Sequence, residues 1–207
     1  MKGKSNVWLP ALLLVVFALT RCPGVMPENF SAAYALAFCA GVFFPRKLAW
    51  WLPLGVLLAT DVLLNLFYYH VAAIDPFMLV NYAAYAVLVG LGRCFTAKSS
   101  WLSVTGGGLL GALLFYVITN TAAWLQNPQY PKTLAGWVQA MTTGIPGWPP
   151  PWTFLRNTLL SGGLFTGLFA GAMKLSEAGE AEEEKEQQPD EAEAEEEPAA
   201  DGAEAKA

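Results

Sequence analysis

Six apolar stretches separated by short polar or proline-bearing breaks organise the chain: about Val7–Thr20, Phe30–Phe44, Leu48–Tyr69, Phe77–Leu91, Trp101–Leu125 and Phe154–Met173. A full membrane crossing by a helix needs about 20 apolar residues, with about 17 a practical minimum. The third, fifth and sixth stretches reach that length. The first, second and fourth are short, and either borrow flanking residues or lie shielded by their neighbours. The pattern predicts an all-α membrane protein, a bundle of about six transmembrane helices over residues 1–175. A disordered acidic tail is expected over residues 176–207, because Glu, Ala, Gln and Pro without aromatic or β-branched residues cannot bury enough surface to offset ordering entropy.

Composition sharpens this division. The chain is 55% hydrophobic and 14% charged, against roughly 45–50% and 25% in soluble domains. Of its 17 acidic residues, all but Glu28, Asp61 and Asp75 lie between Glu177 and Glu204. The net charge of −5 therefore describes neither the basic body nor the acidic tail. With the N-terminus inside, the cytoplasmic ends carry Lys2, Lys4, Arg46, Lys47, Arg93, Lys98 and Lys174, and the outer ends carry Arg21, Lys132 and Arg156. Seven against three favours both termini in the cytoplasm by the positive-inside rule, which requires an even number of spans. The first stretch follows Lys2 and Lys4 like a signal peptide, but Arg21-Cys22-Pro23 offers no small-residue cleavage site. It reads as an uncleaved first helix.

The longest connection, Gln126 to Trp152, falls outside the membrane. Its Tyr130, Trp137, Trp148 and Trp152 suit the headgroup region. Thr133–Met141 is expected to form a short interfacial helix, and Gly144–Pro151 is too rich in Pro and Gly to continue it.

Candidate chemistry centres on Asp61, the one acid inside a predicted span, where a charge costs about 2.5–3.5 kcal/mol at mid-helix and marks a functional position by default. Asn65 and Tyr68 follow at i+4 and i+7 on the same stripe. In the predicted topology Asp61 lies in the outer half of its span. So do Asn29 and Ser31 at the start of the second, Asn81 and Tyr85 in the fourth, Tyr116, Asn120 and Trp124 in the fifth, and Asn157 and Ser161 in the sixth. The inner halves are nearly all Leu, Val, Ala, Gly and Phe. Aromatic walls with a few convergent polar groups make a small-ligand pocket, for which Asp61, Asn65, Asn120, Trp124, Asn29, Asn81 and Asn157 are the candidates. The alternative is a purely structural network, with interhelical hydrogen bonds and Asp61 paired to Arg156.

Two stripes of small residues, Ala33, Ala37 and Gly41 in the second span and Gly163, Gly167 and Gly171 in the sixth, permit close helix approach. They serve either packing within the bundle or docking of a partner. Cys22, Cys39 and Cys94 show neither metal-ligand spacing nor a disulfide framework. A lone histidine, His70, makes a multi-histidine metal site untenable and a catalytic triad improbable, Gly106-Gly107-Gly108 lacks the context of a phosphate loop, and no basic groove points to nucleic acid. Neither catalysis nor a cofactor is expected.

The order of Pro27-Glu28-Asn29-Phe30-Ser31, Ala35-Leu36-Ala37-Phe38-Cys39-Ala40-Gly41, Pro53-Leu54 with Asp61, Thr119-Asn120 with Trp124, Tyr130-Pro131 with Thr133 and Gly136, Ile145-Pro146, and Asn157-Thr158-Leu159 resembles a family of uncharacterised bacterial membrane proteins. The resemblance runs from about Val7 to Met173. That family is similar in fold to the substrate-binding S components of energy-coupling factor transporters. The resemblance implies a multi-pass protein of the bacterial inner membrane that captures a small molecule for uptake. It also implies helix docking to a transmembrane coupling subunit that works with ATPases.

Overall fold

A computed structural model describes residues 8–187, and among them every regular element is helical. The helices are α1 (Trp8–Arg21), α2 (Ala33–Phe43), α3 (Arg46–Phe67), α4 (Pro76–Gly92), α5 (Trp101–Gln126), α6 (Leu134–Met141) and α7 (Pro151–Gln187). Their starts follow local chemistry. Asp75 caps α4 by accepting from the Phe77 amide at 2.7 Å, and Pro76 supplies the preset φ of a first helical residue. Ser100 caps α5 and Thr133 caps α6 through hydroxyls that accept from the third amide onward, at 3.1 and 3.2 Å.

Of the six crossings that the apolar stretches predict, three have helices long and apolar enough to span: α3, α5, and residues Pro151–Ser176 of α7. At 22 residues α3 is about 33 Å long. Its buried residues, Ala49, Pro53 and Leu57, form one stripe at four-residue spacing, while Trp51, Leu58, Leu63, Leu66 and Phe67 are exposed. An apolar surface this extensive is unfavourable in water and at home in hydrocarbon, so these helices belong in a membrane.

The second stretch departs most from expectation. α2 has only 11 residues, about 16 Å, against the 15 of its apolar stretch. It compensates by position: ten of its residues are buried, and it packs against α1, α3, α4 and α5. A helix apolar on every face is buried on every face. At its crossing with α4 the backbones nearly touch. A Cβ on Gly41 would lie 2.9 Å from the Gly92 Cα and collide with the Val89 carbonyl; one on Gly92 would lie 3.0 Å from the Gly41 Cα and collide with the Phe38 carbonyl. Only glycine at both positions allows this approach.

The chain divides into two units, residues 1–173 and 174–207. In the second, residues 174–187 are helical although the composition predicts disorder from residue 176. Ala, Glu, Gln and Lys all rank high in intrinsic helix propensity, which favours the helix. The rest of the expected disordered tail lies outside the described residues.

Candidate functional site

Helix direction alternates so that the C-terminal ends of α1, α3 and α5 meet the N-terminal ends of α2, α4 and α7. Thr20, at the end of α1, accepts from the Ala32 amide at 3.1 Å, fixing α1 to the entry of α2. The next residue, Arg21, turns its guanidinium to α3, where Nη2 donates to Asp61 Oδ1. From α4 the Tyr82 hydroxyl donates to Asp61 Oδ2 at 2.8 Å. Three helices thus converge on one carboxylate, and each of its oxygens holds a donor. Arg21 and Asp61 remain 19% and 18% exposed. The guanidinium is incompletely satisfied: Arg21 Nε is buried without a hydrogen-bond partner among the described residues.

Arg156, the partner offered for Asp61 by the structural reading of the sequence, lies elsewhere. Its Nε donates to Asn157 Oδ1 at 3.3 Å and its guanidinium sits 5.6 Å from the centroid of the Trp152 ring. The ion pair forms instead between residues 40 apart in sequence. A sign of Arg21's role was present, since in the topology expected from the sequence a basic residue there runs against the positive-inside bias. Tyr82 had no such sign, because it lies off the Asn81–Tyr85 stripe.

The pair borders a cleft of about 580 Å³, within the roughly 300–1,000 Å³ of small-molecule sites. Asn29, Asp61, Asn65 and Asn81 all line it, with Ser31 and the rings of Tyr68 and Tyr69. Its wall includes the aromatic cluster of Tyr34, Tyr85 and Phe115, in which Phe115 lies 4.9 Å from the Tyr34 centroid and 4.7 Å from that of Tyr85. Asn65 Nδ2 donates to the Ala73 carbonyl at 3.2 Å, holding the α3–α4 connection. Asn29 adopts φ 59°, a left-handed conformation that asparagine tolerates better than most residues. Its carbonyl accepts from the Tyr34 hydroxyl at 3.3 Å.

The other three candidates are placed differently. Asn120 donates to the Tyr116 carbonyl at 3.0 Å and borders a separate cleft of about 480 Å³, with Asn127, Tyr130 and Trp148. Burial raises the Tyr130 phenol above its ordinary pKa there. Trp124 donates through Nε1 to the Pro131 carbonyl at 2.9 Å, with Lys132 Nζ 5.6 Å from its ring centroid, and so anchors the connection that leads into α6. That connection is further fixed by Trp137 Nε1 on the Thr121 hydroxyl at 3.0 Å and the Tyr116 hydroxyl on the Met141 carbonyl at 2.7 Å. Asn157, 8% exposed, donates to the Glu28 carbonyl at 2.9 Å and ties α7 to the segment bordering the first cleft.

The first small-residue stripe is buried within the bundle, whereas the second is half-buried along α5. Ala33, Ala37 and Gly41 are buried, with Gly41 against α4. Gly163 abuts Leu109 and Gly167 abuts Trp101, whose Nε1 donates to the Gly167 carbonyl at 2.9 Å; a Cβ on Gly171 would be in ordinary contact with the same Trp101.

No curated protein matches the chain, nor does any solved structure. The model of a family of unknown function (DUF6580) matches residues 1–184, and the chain belongs to that family.

Proposed function

We propose that this protein is a membrane-embedded small-molecule-binding subunit serving uptake, without catalysis of its own. The observation that carries this reading is the convergence of Arg21, Asp61 and three asparagines from several elements on one cleft at one end of the helices, with Tyr82 holding Asp61 from outside the lining. Partly exposed charges in an apolar surround are costly, and a binding role accounts for their retention beside a cavity of ligand size. The opposite end carries Arg46, Lys47 and Arg93, with Arg93 Nη1 donating to the Phe44 carbonyl at 3.4 Å. By the positive-inside rule that end is cytoplasmic, both termini with it, and the cleft opens outward. The same reading takes the remaining short helices as crossings completed by their neighbours. The resemblance to S components adds a transmembrane coupling subunit and ATPases as partners, in a bacterial inner membrane.

The test is thermal unfolding of the purified protein in detergent with a panel of vitamins, nucleobases, amino acids and divalent cations. At 100 times its dissociation constant a ligand stabilises by about 2.7 kcal/mol. One compound is expected to raise the midpoint of wild type and to act less on Asp61→Asn. A panel that leaves wild type unmoved defeats the proposal.

A further inference from the structure

Resting on that reading, we infer that the ligand of the Arg21–Asp61 cleft is a small zwitterion carrying both a carboxylate and an ammonium group, of the amino-acid or betaine class. The charges of the cleft select it. Its lining includes one cation, Arg21, and two acids, of which Glu28 is exposed to solvent and Asp61 is directly paired with Arg21. A ligand of a single sign drawn to either member of the pair is repelled by the other at nearly the same distance, so attraction largely cancels. A zwitterion laid along the pair meets an opposite charge at each end.

The unused hydrogen-bonding capacity points the same way. Arg21 presents five N–H groups in a planar fork suited to carboxylates. Nη2 is engaged by Asp61, and Tyr85 is a second side-chain hydrogen-bond neighbour of the guanidinium, which leaves part of the fork unused among the described residues. The Arg21 side chain remains about a fifth exposed where it lines the cleft, and a ligand carboxylate can be accepted by the N–H groups on that accessible edge. Asp61 holds one donor on each oxygen, but an ionised carboxylate has about four lone-pair sites. It therefore retains capacity for an ammonium group. The tyrosine rings of the wall add negative faces that attract a cation. The Tyr34–Tyr85–Phe115 cluster offers an apolar surface to the remainder of the ligand.

The experiment measures binding to the full chain in detergent by thermal shift and calorimetry. The probe is an equimolar pool of the twenty amino acids plus glycine betaine, then its best single member beside two analogues of the same skeleton, one lacking the ammonium and one lacking the carboxylate. For phenylalanine these would be 3-phenylpropionate and 2-phenylethylamine. The zwitterion is expected to bind at least tenfold more tightly than either analogue. The double variant Arg21→Gln/Asp61→Asn, which keeps a neutral hydrogen-bonding pair, is expected to lose that preference while remaining monodisperse with wild-type helicity. An analogue that binds as tightly as the zwitterion overturns the inference, as does a double variant that keeps the preference. If the pool is inert but a singly charged or neutral compound of the wider panel binds and is weakened by Asp61→Asn, the zwitterion inference fails and the binding role stands. If nothing binds, both fail.

Discussion

Replacing Gly92 with alanine tests the α2–α4 crossing on which the cleft wall depends. The added Cβ would lie 3.0 Å from the Gly41 Cα and run into the Phe38 carbonyl. Both obstacles are backbone, so no side-chain rotation relieves them and the helices must separate. Inserting one methyl group into a packed site costs about 1–3 kcal/mol, and rigid obstacles favour the upper half of that range. Separation by about 0.5–1 Å also forfeits a quarter to a half of each contact's attraction along the crossing. Against this stands the helix propensity of alanine over glycine, about 1 kcal/mol in mid-helix and smaller at the last residue of α4. The net expectation is a loss of about 2 kcal/mol, or about 4–8 °C in the thermal midpoint for a chain of this size. Gly90→Ala is the matched control, because a Cβ there meets nothing within 4 Å on the same helix. It should leave the midpoint unchanged or raise it slightly. Thermal unfolding of both variants in one detergent decides the matter. Equal midpoints for Gly92→Ala and Gly90→Ala would refute the close crossing.

Other outcomes follow from the same contacts. Arg21→Gln and Asp61→Asn are each expected to cost about 1–3 kcal/mol, below the 3–5 of a fully buried pair because both groups are about a fifth exposed. The double variant should cost less than the sum, and a double-mutant cycle in unfolding free energy checks this. Trp124→Phe removes the bond to the Pro131 carbonyl and should destabilise by about 1 kcal/mol, seen as faster proteolysis in the connection between α5 and α7. Membrane-impermeant maleimide should label Cys22 in intact cells and Cys94 only after permeabilisation, while buried Cys39 reacts only on unfolding. Labelling of Cys94 before Cys22 would reverse the proposed orientation.

Much of the helical order was legible because long apolar stretches between polar breaks have few other outcomes. Asp61, Asn65, Asn29 and Asn81 reach one cleft because they sit at the same end of their helices, a matter of position along each span. Asn120 and Trp124 occupy that end too, yet their bonds lie elsewhere, and Asn157 reaches only the backbone of Glu28 at the cleft's border, because the rotation of each helix about its axis is set by packing. For the same reason the partner of Asp61 was not legible. Arg21 and Arg156 both sit at helix ends on the same side of the bundle as Asp61, and only the placement of α1 beside α2 and α3 separates them. The helix through residues 177–187 accords with the high helix propensity of its Ala, Glu, Gln and Lys residues.

The brevity of α2 changes what lies beneath the cleft. Its 11 residues cover about 16 Å of a hydrocarbon layer about 30 Å thick, and the segment before it borders the cleft. A solute resting there would already be near the middle of the permeability barrier. In the proposed orientation the short α2, with no charged side chain along its length, lies on the cytoplasmic side of that point. Because α2 is buried on nearly every face and meets α4 at backbone contact, passage beyond that point would require it to part from all four of its neighbours.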